Sequence, residues 1–232
     1  KVIAGTVVGT TVEWYDFFLY ATAASLVFNT VFFPHQSGFV GTLLTFATFA
    51  VGFAVRPIGG VVFGHIGDRI GRKKLLLIGA AAFGLASILA AFAPTAEVLI
   101  AARLLLGVAG ATIMPSTLSL IRNIFTDPIE RTRAIAIWSA AAASGIALGP
   151  LVGGALLENF WWGSVFLINL PVMALVIGLG AWLLPESRNP NPGRFDLISS
   201  GLSMLAIIPF VYTIKQVTGG KFDLLTAAAI IA

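Results

Sequence analysis

Two carboxylates stand three residues apart in the first apolar stretch of the chain, in the sequence Glu13-Trp-Tyr-Asp16. Residues with this spacing lie on one face of a helix. A carboxyl group in a low dielectric binds a proton more readily than in water, and a like-charged neighbour adds to this effect. Arg56, next to Pro57 in the second apolar stretch, would lie at a similar depth and could pair with either acid. We therefore predict that Glu13, Asp16 and Arg56 form a charge cluster tied to proton coupling; the alternative is that both acids are simply solvated near the inner interface.

Arg103 is a further charged residue inside an apolar stretch, a turn or two from the outer end of the fourth one. An arginine that faces lipid costs a few kcal/mol unless its side chain extends to the interface. Gly107 and Gly110 follow it and indicate that the same face meets another helix. We predict that Arg103 faces a cavity and takes part in function, with extension to the interface as the alternative.

Membrane-spanning helices would position these residues. Of the 232 residues 58% are hydrophobic and 10% charged, whereas soluble domains carry roughly 25% charged residues. The apolar residues form runs of about 20, the length that crosses a bilayer as a helix, without the alternation of a barrel strand. We predict an all-α integral membrane bundle with spans near residues 6–33, 38–63, 75–93, 98–121, 134–157, 164–184 and 197–217. An eighth span begins near residue 223 and is cut short, so we expect the chain to be a fragment.

The charged residues of the loops predict the topology. Alternate loops hold the cations, and the turns between them hold no Lys or Arg; the cations are Arg69, Arg72, Lys73, Lys74, Arg122, Arg131, Arg133, Arg188 and Arg194. Cationic loops stay in the cytoplasm. This asymmetry predicts a cytoplasmic amino terminus in the cell inner membrane, and it explains the net charge of +4 without a nucleic-acid partner. Cys is absent and the two His residues are isolated, so we expect neither a metal site nor a cofactor.

Two glycine-containing segments carry a structural signal. The first is the turn from Gly64 to Lys74, in which Asp68 stands among cations and could pair with Arg72. We predict a conformational switch loop; the alternative is that its cations only anchor the loop inside. Its residues are Gly64, Asp68, Arg69, Gly71, Arg72 and Lys73.

In the fifth span, Gly145, Gly149 and Gly153 form a groove for another helix, and Pro150 adds a bend.

The same segments carry a resemblance to a known family. The switch-loop residues resemble the cytoplasmic loop signature of the major facilitator superfamily. Arg103-Leu-Leu-Leu-Gly-Val-Ala-Gly110 resembles the arginine motif of the fourth helix, which is associated with proton transfer in that superfamily. The segment from Gly145 to Gly154, with Gly149, Pro150 and Gly153, resembles the antiporter motif of its fifth helix. The resemblance implies a six-helix amino-terminal half in residues 1–184, a cytoplasmic linker in 185–196, and a seventh and truncated eighth helix in 197–232.

The two parts of the chain resemble different branches of the superfamily. Residues 1 to about 74, with Val55-Arg-Pro-Ile-Gly-Gly60, resemble metabolite:proton symporters that import small organic acids or osmolytes. Residues from about 75 onward, with Leu184-Pro-Glu-Ser187, resemble fourteen-helix drug:proton antiporters. The antiporters' aspartate motif of the first helix is missing here.

Together these features favour a proton-coupled transporter of small molecules that leans towards drug efflux by antiport. Import of organic acids or osmolytes by symport is the alternative, and an inert fragment or a non-transporting seven-helix membrane protein is a second one. The sequence has no nucleophile or metal set for an enzyme. The expected partners are protons, a small-molecule substrate, the lipid bilayer and the missing carboxy-terminal half of the same protein.

Overall fold

The computed structural model describes residues 2–186 and the single positions Leu202 and Leu205. The predicted linker, apart from its first two residues, and the seventh and eighth spans therefore lie outside the described residues. The chain divides into two compact units, Lys1–Pro192 and Gly193–Ala232, and the first is described below.

The regular structure of residues 2–186 is helical. The first span is helix α1 (Val2–Ala23), a π-helical turn (Ala24–Phe28) and α2 (Asn29–Phe32). The second to fifth spans are single helices, and the sixth consists of two helices. Their bounds are α3 (Gly38–Ile70), α4 (Arg72–Ala91), α5 (Ala96–Ile124), α6 (Pro128–Asn159), α7 (Ser164–Leu167) and α8 (Asn169–Leu183).

Five of these elements are long and apolar enough to cross a membrane: α3, α4, α5, α6 and the combined segment Ser164–Leu183. Their outward faces carry large apolar side chains, such as Phe39 with 80% and Trp182 with 81% of its surface exposed. Such faces require lipid rather than water as their solvent. The prediction of an all-helical membrane bundle is confirmed, and the chain is a multi-pass membrane protein.

The predicted loop from Gly64 to Lys74 is wrong in its extent. Helix α3 continues to Ile70 and α4 begins at Arg72, so Gly71 is the whole connection. Gly71 has φ 109°, a conformation that an L side chain rarely adopts. The helices extend this far because the segment contains no proline, and because Asp68 pairs with Arg72 one turn later across the junction.

Side chains of the sequence begin three of the helices. The hydroxyl groups of Ser37 and Thr95 accept hydrogen bonds from the backbone N–H groups three residues later. The Asp127 carboxylate accepts from the N–H groups of Ile129 and Glu130, and Pro128 stands in the first turn, where its missing N–H costs nothing. Local sequence therefore sets where α3, α5 and α6 start.

Small residues allow the spans to approach one another. A Cβ atom added to Gly145 would lie 2.5 Å from the Thr11 carbonyl oxygen, and one added to Gly149 would lie 2.6 Å from Phe18 Cβ. Helices α1 and α6 therefore touch backbone to backbone. In the same way, a Cβ added to Gly52 of α3 would lie 2.9 Å from the Arg103 carbonyl oxygen of α5. This contact holds α3 closely against α5, the two helices that carry Arg56 and Arg103.

Candidate functional site

The innermost ion pair joins the first and fourth spans. Arg103 Nη1 of α5 lies 3.0 Å from Asp16 Oδ2 of α1, and the two side chains are 3% and 0% exposed. The Arg103 guanidinium also lies over the Tyr20 ring, 4.0 Å from its centre. Arg103 therefore neither faces lipid nor extends to the interface: it is buried against a carboxylate and an aromatic face, a pairing that offsets part of the cost of burying its charge.

Two polar residues that the sequence analysis did not single out complete this pair. Asn169 Nδ2 donates to the other Asp16 oxygen, Oδ1, at 3.0 Å and to Ser87 Oγ of α4 at 3.3 Å. Asn169 and Ser87 have no exposed surface. A lone asparagine in an apolar run was the available signal, because a polar side chain inside a membrane bundle needs a partner. One carboxylate thus connects the first, fourth and sixth spans directly and the third through Ser87.

The second ion pair joins the first and second spans. Arg56 Nη1 of α3 lies 2.8 Å from Glu13 Oε1, and the side chains are 14% and 3% exposed. Arg56 also lies 4.1 Å from the centre of the Phe17 ring. The other carboxylate oxygen, Glu13 Oε2, is buried without a hydrogen-bond partner among the described residues. Each acid of the first helix therefore has its own arginine, and only Asp16 has both oxygens engaged.

An aromatic layer separates the two arginines. The Phe17 ring meets the Phe49 ring edge to face at 5.1 Å, and Phe49 stacks on Tyr20 at 5.6 Å. The Tyr20 hydroxyl group hydrogen-bonds to Thr48. Arg56 lies over one end of this layer and Arg103 over the other. The rings lower the polarity around both ion pairs and give each guanidinium a negative face to rest on.

A cavity of about 340 Å³ adjoins Glu13 and Arg56. Its walls come from α1, α3 and α5 and include Trp14, Phe17, Phe53, Ala111 and Pro115. Phe53 and Ala111 stand four residues before Pro57 and Pro115, which have no N–H, so the usual intrahelical bond cannot satisfy their carbonyl groups. The cavity thus has aromatic walls, one ion pair and two backbone carbonyl groups that lack their usual intrahelical bond. Binding sites for small molecules typically combine apolar walls with a few polar groups in this way.

The predicted switch-loop residues surround Gly71. Arg72 Nη2 lies 2.8 Å from Asp68 Oδ1, as the sequence suggested. Lys73 Nζ donates to the Ala181 carbonyl at 2.7 Å, which links the third span to the sixth. A Cβ atom on Gly71 would collide with the Glu186 carboxylate. The exposed Arg69 lies in the last turn of α3, and a Cβ atom on Gly64 would meet open space. The loop therefore joins the second, third and sixth spans at one end of the bundle.

The glycines of the fifth span divide into two groups. Gly145, Gly149 and Gly153 face α1, whereas a Cβ atom on Gly154 would meet nothing within 4 Å. Pro150 lies inside α6 without ending it. The predicted groove is thus the α1 contact surface, and Gly154 takes no part in it.

The described residues contain no group of three or more His, Cys, Asp and Glu side chains that could hold a metal ion. The ion pairs and hydrogen bonds define the candidate site as the four charged residues of the first, second and fourth spans, with Asn169 and Ser87 beside them.

Comparison with known proteins places these features in a family. The family model described as Major Facilitator Superfamily matches residues 6–231. The "Multidrug efflux pump LfrA" of Mycolicibacterium smegmatis is 56% identical over 169 residues, which are 73% of this chain and 34% of that protein. The "Shikimate transporter" of Escherichia coli is 52% identical over 91 residues, 39% of this chain and 21% of that protein.

Solved structures support the fold. The proton:xylose symporter XylE superposes with a TM-score of 0.71 at 17% sequence identity, over 93% of this chain and 53% of that one. The chain thus spans about a third or less of the length of these curated relatives and about half of this solved transporter.

Proposed function

The chain belongs to the Major Facilitator Superfamily, and from this premise we propose that it forms the amino-terminal half of a proton-coupled secondary transporter. We propose that the complete protein exports drugs or other lipophilic compounds in exchange for protons. The relative with the larger matched share is an efflux pump by name. Alternating access needs a second bundle that rocks against the first, and the carboxy-terminal half of the same protein would supply it.

One observation carries the proposal: a buried carboxylate borders a cavity with one oxygen free. Glu13 Oε1 is paired with Arg56, whereas Oε2 has no partner in the described part of the chain, and the residue lines the 340 Å³ cavity. A proton arriving from the cavity can bind there without displacing another bond. Asp16 is engaged through both oxygens and has no exposed surface. We therefore assign proton exchange to Glu13 and a fixed structural charge to Asp16.

The cavity walls suggest how exchange would work. Trp14, Phe17 and Phe53 offer aromatic faces that attract organic cations, and Glu13 supplies the negative charge beside them. A proton would bind the free oxygen Glu13 Oε2, and a lipophilic cation would contact the same oxygen, so the two would compete for one carboxylate. Competition for one carboxylate is sufficient to couple outward movement of one to inward movement of the other.

Arg56 supports a second candidate, import of a small organic acid by symport. When a proton neutralises Glu13, Arg56 loses its partner and becomes a cation at the cavity wall. A carboxylate substrate would then restore the charge balance and would enter together with the proton. The relative named as a shikimate transporter agrees with this candidate.

Transport by the full-length protein in membrane vesicles separates the candidates. A fluorescent lipophilic cation tests antiport, and labelled shikimate tests symport, each with and without an imposed pH gradient. We expect the gradient to drive the cation but not shikimate, and Glu13→Gln to abolish the response. Glu158→Gln changes an exposed carboxylate outside the site and is the matched control. Gradient-driven shikimate uptake would select symport, and the absence of both movements would refute proton-coupled transport.

We also propose that the amino terminus is cytoplasmic. Because the chain contains no Cys, single cysteines can be introduced and labelled one at a time. Lys74→Cys and Glu158→Cys replace exposed residues, one in the first turn of α4 beside the proposed cytoplasmic junction and the other in the last turn of α6 beside a proposed external turn. An impermeant reagent added to intact cells should label position 158 and not position 74. Labelling of both positions from outside would contradict the topology.

A further inference from the structure

Asn169 occupies the junction at which the sixth span is interrupted. Helix α7 ends at Leu167, α8 begins at Asn169, and Pro171 follows two residues later. Pro171 has no N–H, so the Leu167 carbonyl group cannot accept the usual intrahelical bond from residue 171. The interruption fixes the position of the first α8 side chain, and this side chain points at Asp16 and Ser87.

Only the N–H end of the Asn169 amide group has hydrogen-bond partners among the described residues. Nδ2 donates to Asp16 Oδ1 and to Ser87 Oγ, whereas Oδ1 is buried without a partner among the described residues. An asparagine that served only to satisfy its own polar atoms would employ both ends of the amide. Here the donor end makes both bonds, and one of its acceptors is a charged carboxylate.

Asp16 has a choice of partners that Asn169 restricts. Three titratable groups near Asp16 come from its own helix: Glu13, Tyr15 and Tyr20. Two arginines come from other helices, Arg103 from α5 and Arg56 from α3. The charge of Arg56 interacts with Asp16 as well as with Glu13. In the observed arrangement Arg103 forms an ion pair with Asp16, and Arg56 forms one with Glu13. An Asp16 carboxylate with an unsatisfied Oδ1 would compete with Glu13 for Arg56.

We propose that Asn169, anchored by Ser87, is a positioning residue that holds Asp16 against Arg103 and thereby reserves Arg56 for Glu13. This inference rests on the proposed proton exchange at Glu13. Asn169 touches neither the cavity nor Glu13, so it acts through the two ion pairs. It makes one of two neighbouring acids a fixed charge and leaves the other free to exchange its proton.

Infrared difference spectroscopy of the full-length protein in nanodiscs tests the proposal, because a protonated carboxyl group has its own C=O band. A pH titration of the wild type should show a buried carboxyl band that Glu13→Gln removes. In Asn169→Leu, which preserves the size of the side chain, we expect a second band that Asp16→Asn removes. We also expect the midpoint of the Glu13 band to move by about one pH unit, a tenfold change in proton affinity.

Asn159→Leu makes the same change at an exposed residue at the end of α6 and should leave the titration unchanged. Ser87→Ala removes only the anchor and should give a smaller shift of the same midpoint, and this variant decides the matter if Asn169→Leu fails to fold. The absence of a band assigned to Asp16, together with an unmoved midpoint of the Glu13 band in the folded variants, would overturn the proposal. A wild type without a titrating Glu13 band would instead refute the assigned proton site, and the appearance or absence of the Asp16 band would still decide the role of Asn169.

Discussion

Replacing each acid of the first helix by its amide should have very different effects on stability. Asp16→Asn leaves Arg103 buried, with a side chain only 3% exposed and with its Nε already without a partner among the described residues. Glu13→Gln leaves Arg56 with a side chain 14% exposed at the wall of the cavity, and the Arg56 Nε is likewise without a partner among the described residues. The two substitutions are chemically alike, so a difference between their effects on the free energy of unfolding reflects the surroundings of the two acids.

The magnitudes follow from these surroundings. Removing one partner of a fully buried ion pair costs about 3–5 kcal/mol, because the remaining charge is uncompensated. The Tyr20 ring under Arg103 offsets about 1 kcal/mol of this cost. Both amides keep a carbonyl acceptor for their arginine and both guanidinium groups lie over a ring, so the difference comes from exposure: at the more exposed Arg56 a loss of about 1–2 kcal/mol is expected. Asp16→Asn should therefore destabilise the chain by roughly 2 kcal/mol more than Glu13→Gln.

Reversible unfolding of the chain in mixed micelles measures both free energies. A double variant, Asp16→Leu with Arg103→Met, removes both charges and should recover most of the stability lost in Asp16→Asn, because an apolar pair of similar volume replaces the ion pair. Glu158→Gln, at an exposed acid, provides the baseline. Equal losses for Asp16→Asn and Glu13→Gln, or no recovery in the double variant, would show that the burial argument is wrong.

Three further predictions concern the glycines and the switch loop. Gly149→Ala should lower the free energy of unfolding by more than 1 kcal/mol, because the added methyl group would lie 2.6 Å from Phe18 Cβ. Gly154→Ala should be neutral in the same unfolding assay, because its methyl group would meet nothing within 4 Å. Gly71→Ala should cost about 1–3 kcal/mol through its φ of 109°, and Glu186→Ala in the same chain should not restore the loss, since the backbone conformation remains unfavourable. Asp68→Asn should cost only about 0.5 kcal/mol, because the Asp68 side chain is 35% exposed, yet it should slow transport by the full-length protein if the loop is a switch.

Each of these predictions has a clear contrary result. Equal effects of the Gly149 and Gly154 variants would mean that the α1 and α6 backbones do not touch. Full stability of Gly71→Ala would mean that the junction adopts another conformation. Unchanged transport in Asp68→Asn would leave the switch loop with an anchoring role alone.

The sequence predicted the helices well because membrane-length apolar runs leave the backbone no other solution. It could not predict that α3 would continue to Ile70, because hydropathy marks the end of the apolar run, whereas the helix ends where the backbone must adopt the positive φ of Gly71. It placed Glu13 and Asp16 on one helix face by their spacing. Which arginine each acid takes depends on the rotation of α3 and α5 about their axes, and no single-sequence pattern fixes that rotation.

Asn169 and Ser87 were missed for a related reason. A single polar residue in an apolar run has no periodicity, and its partners lie 153 and 82 residues away along the chain. The Glu13–Arg56 and Asp16–Arg103 contacts also join distant segments, but charged residues in apolar runs are conspicuous, and they could be named as a cluster before their pairing was known.

The four charges of the site explain why one proton could have a large effect. Glu13, Asp16, Arg56 and Arg103 sum to zero, which is the condition under which they can be held inside a membrane bundle at acceptable cost. A proton on Glu13 gives the group a charge of +1 in a medium of low dielectric, where interactions between charges are several-fold stronger than in water. The Asp16 pair cannot relax to absorb this charge, since Asn169 and Arg103 occupy both oxygens. In the proposed mechanism the imbalance is therefore relieved at Arg56, by loss of a cation from the cavity in antiport or by arrival of an anion in symport.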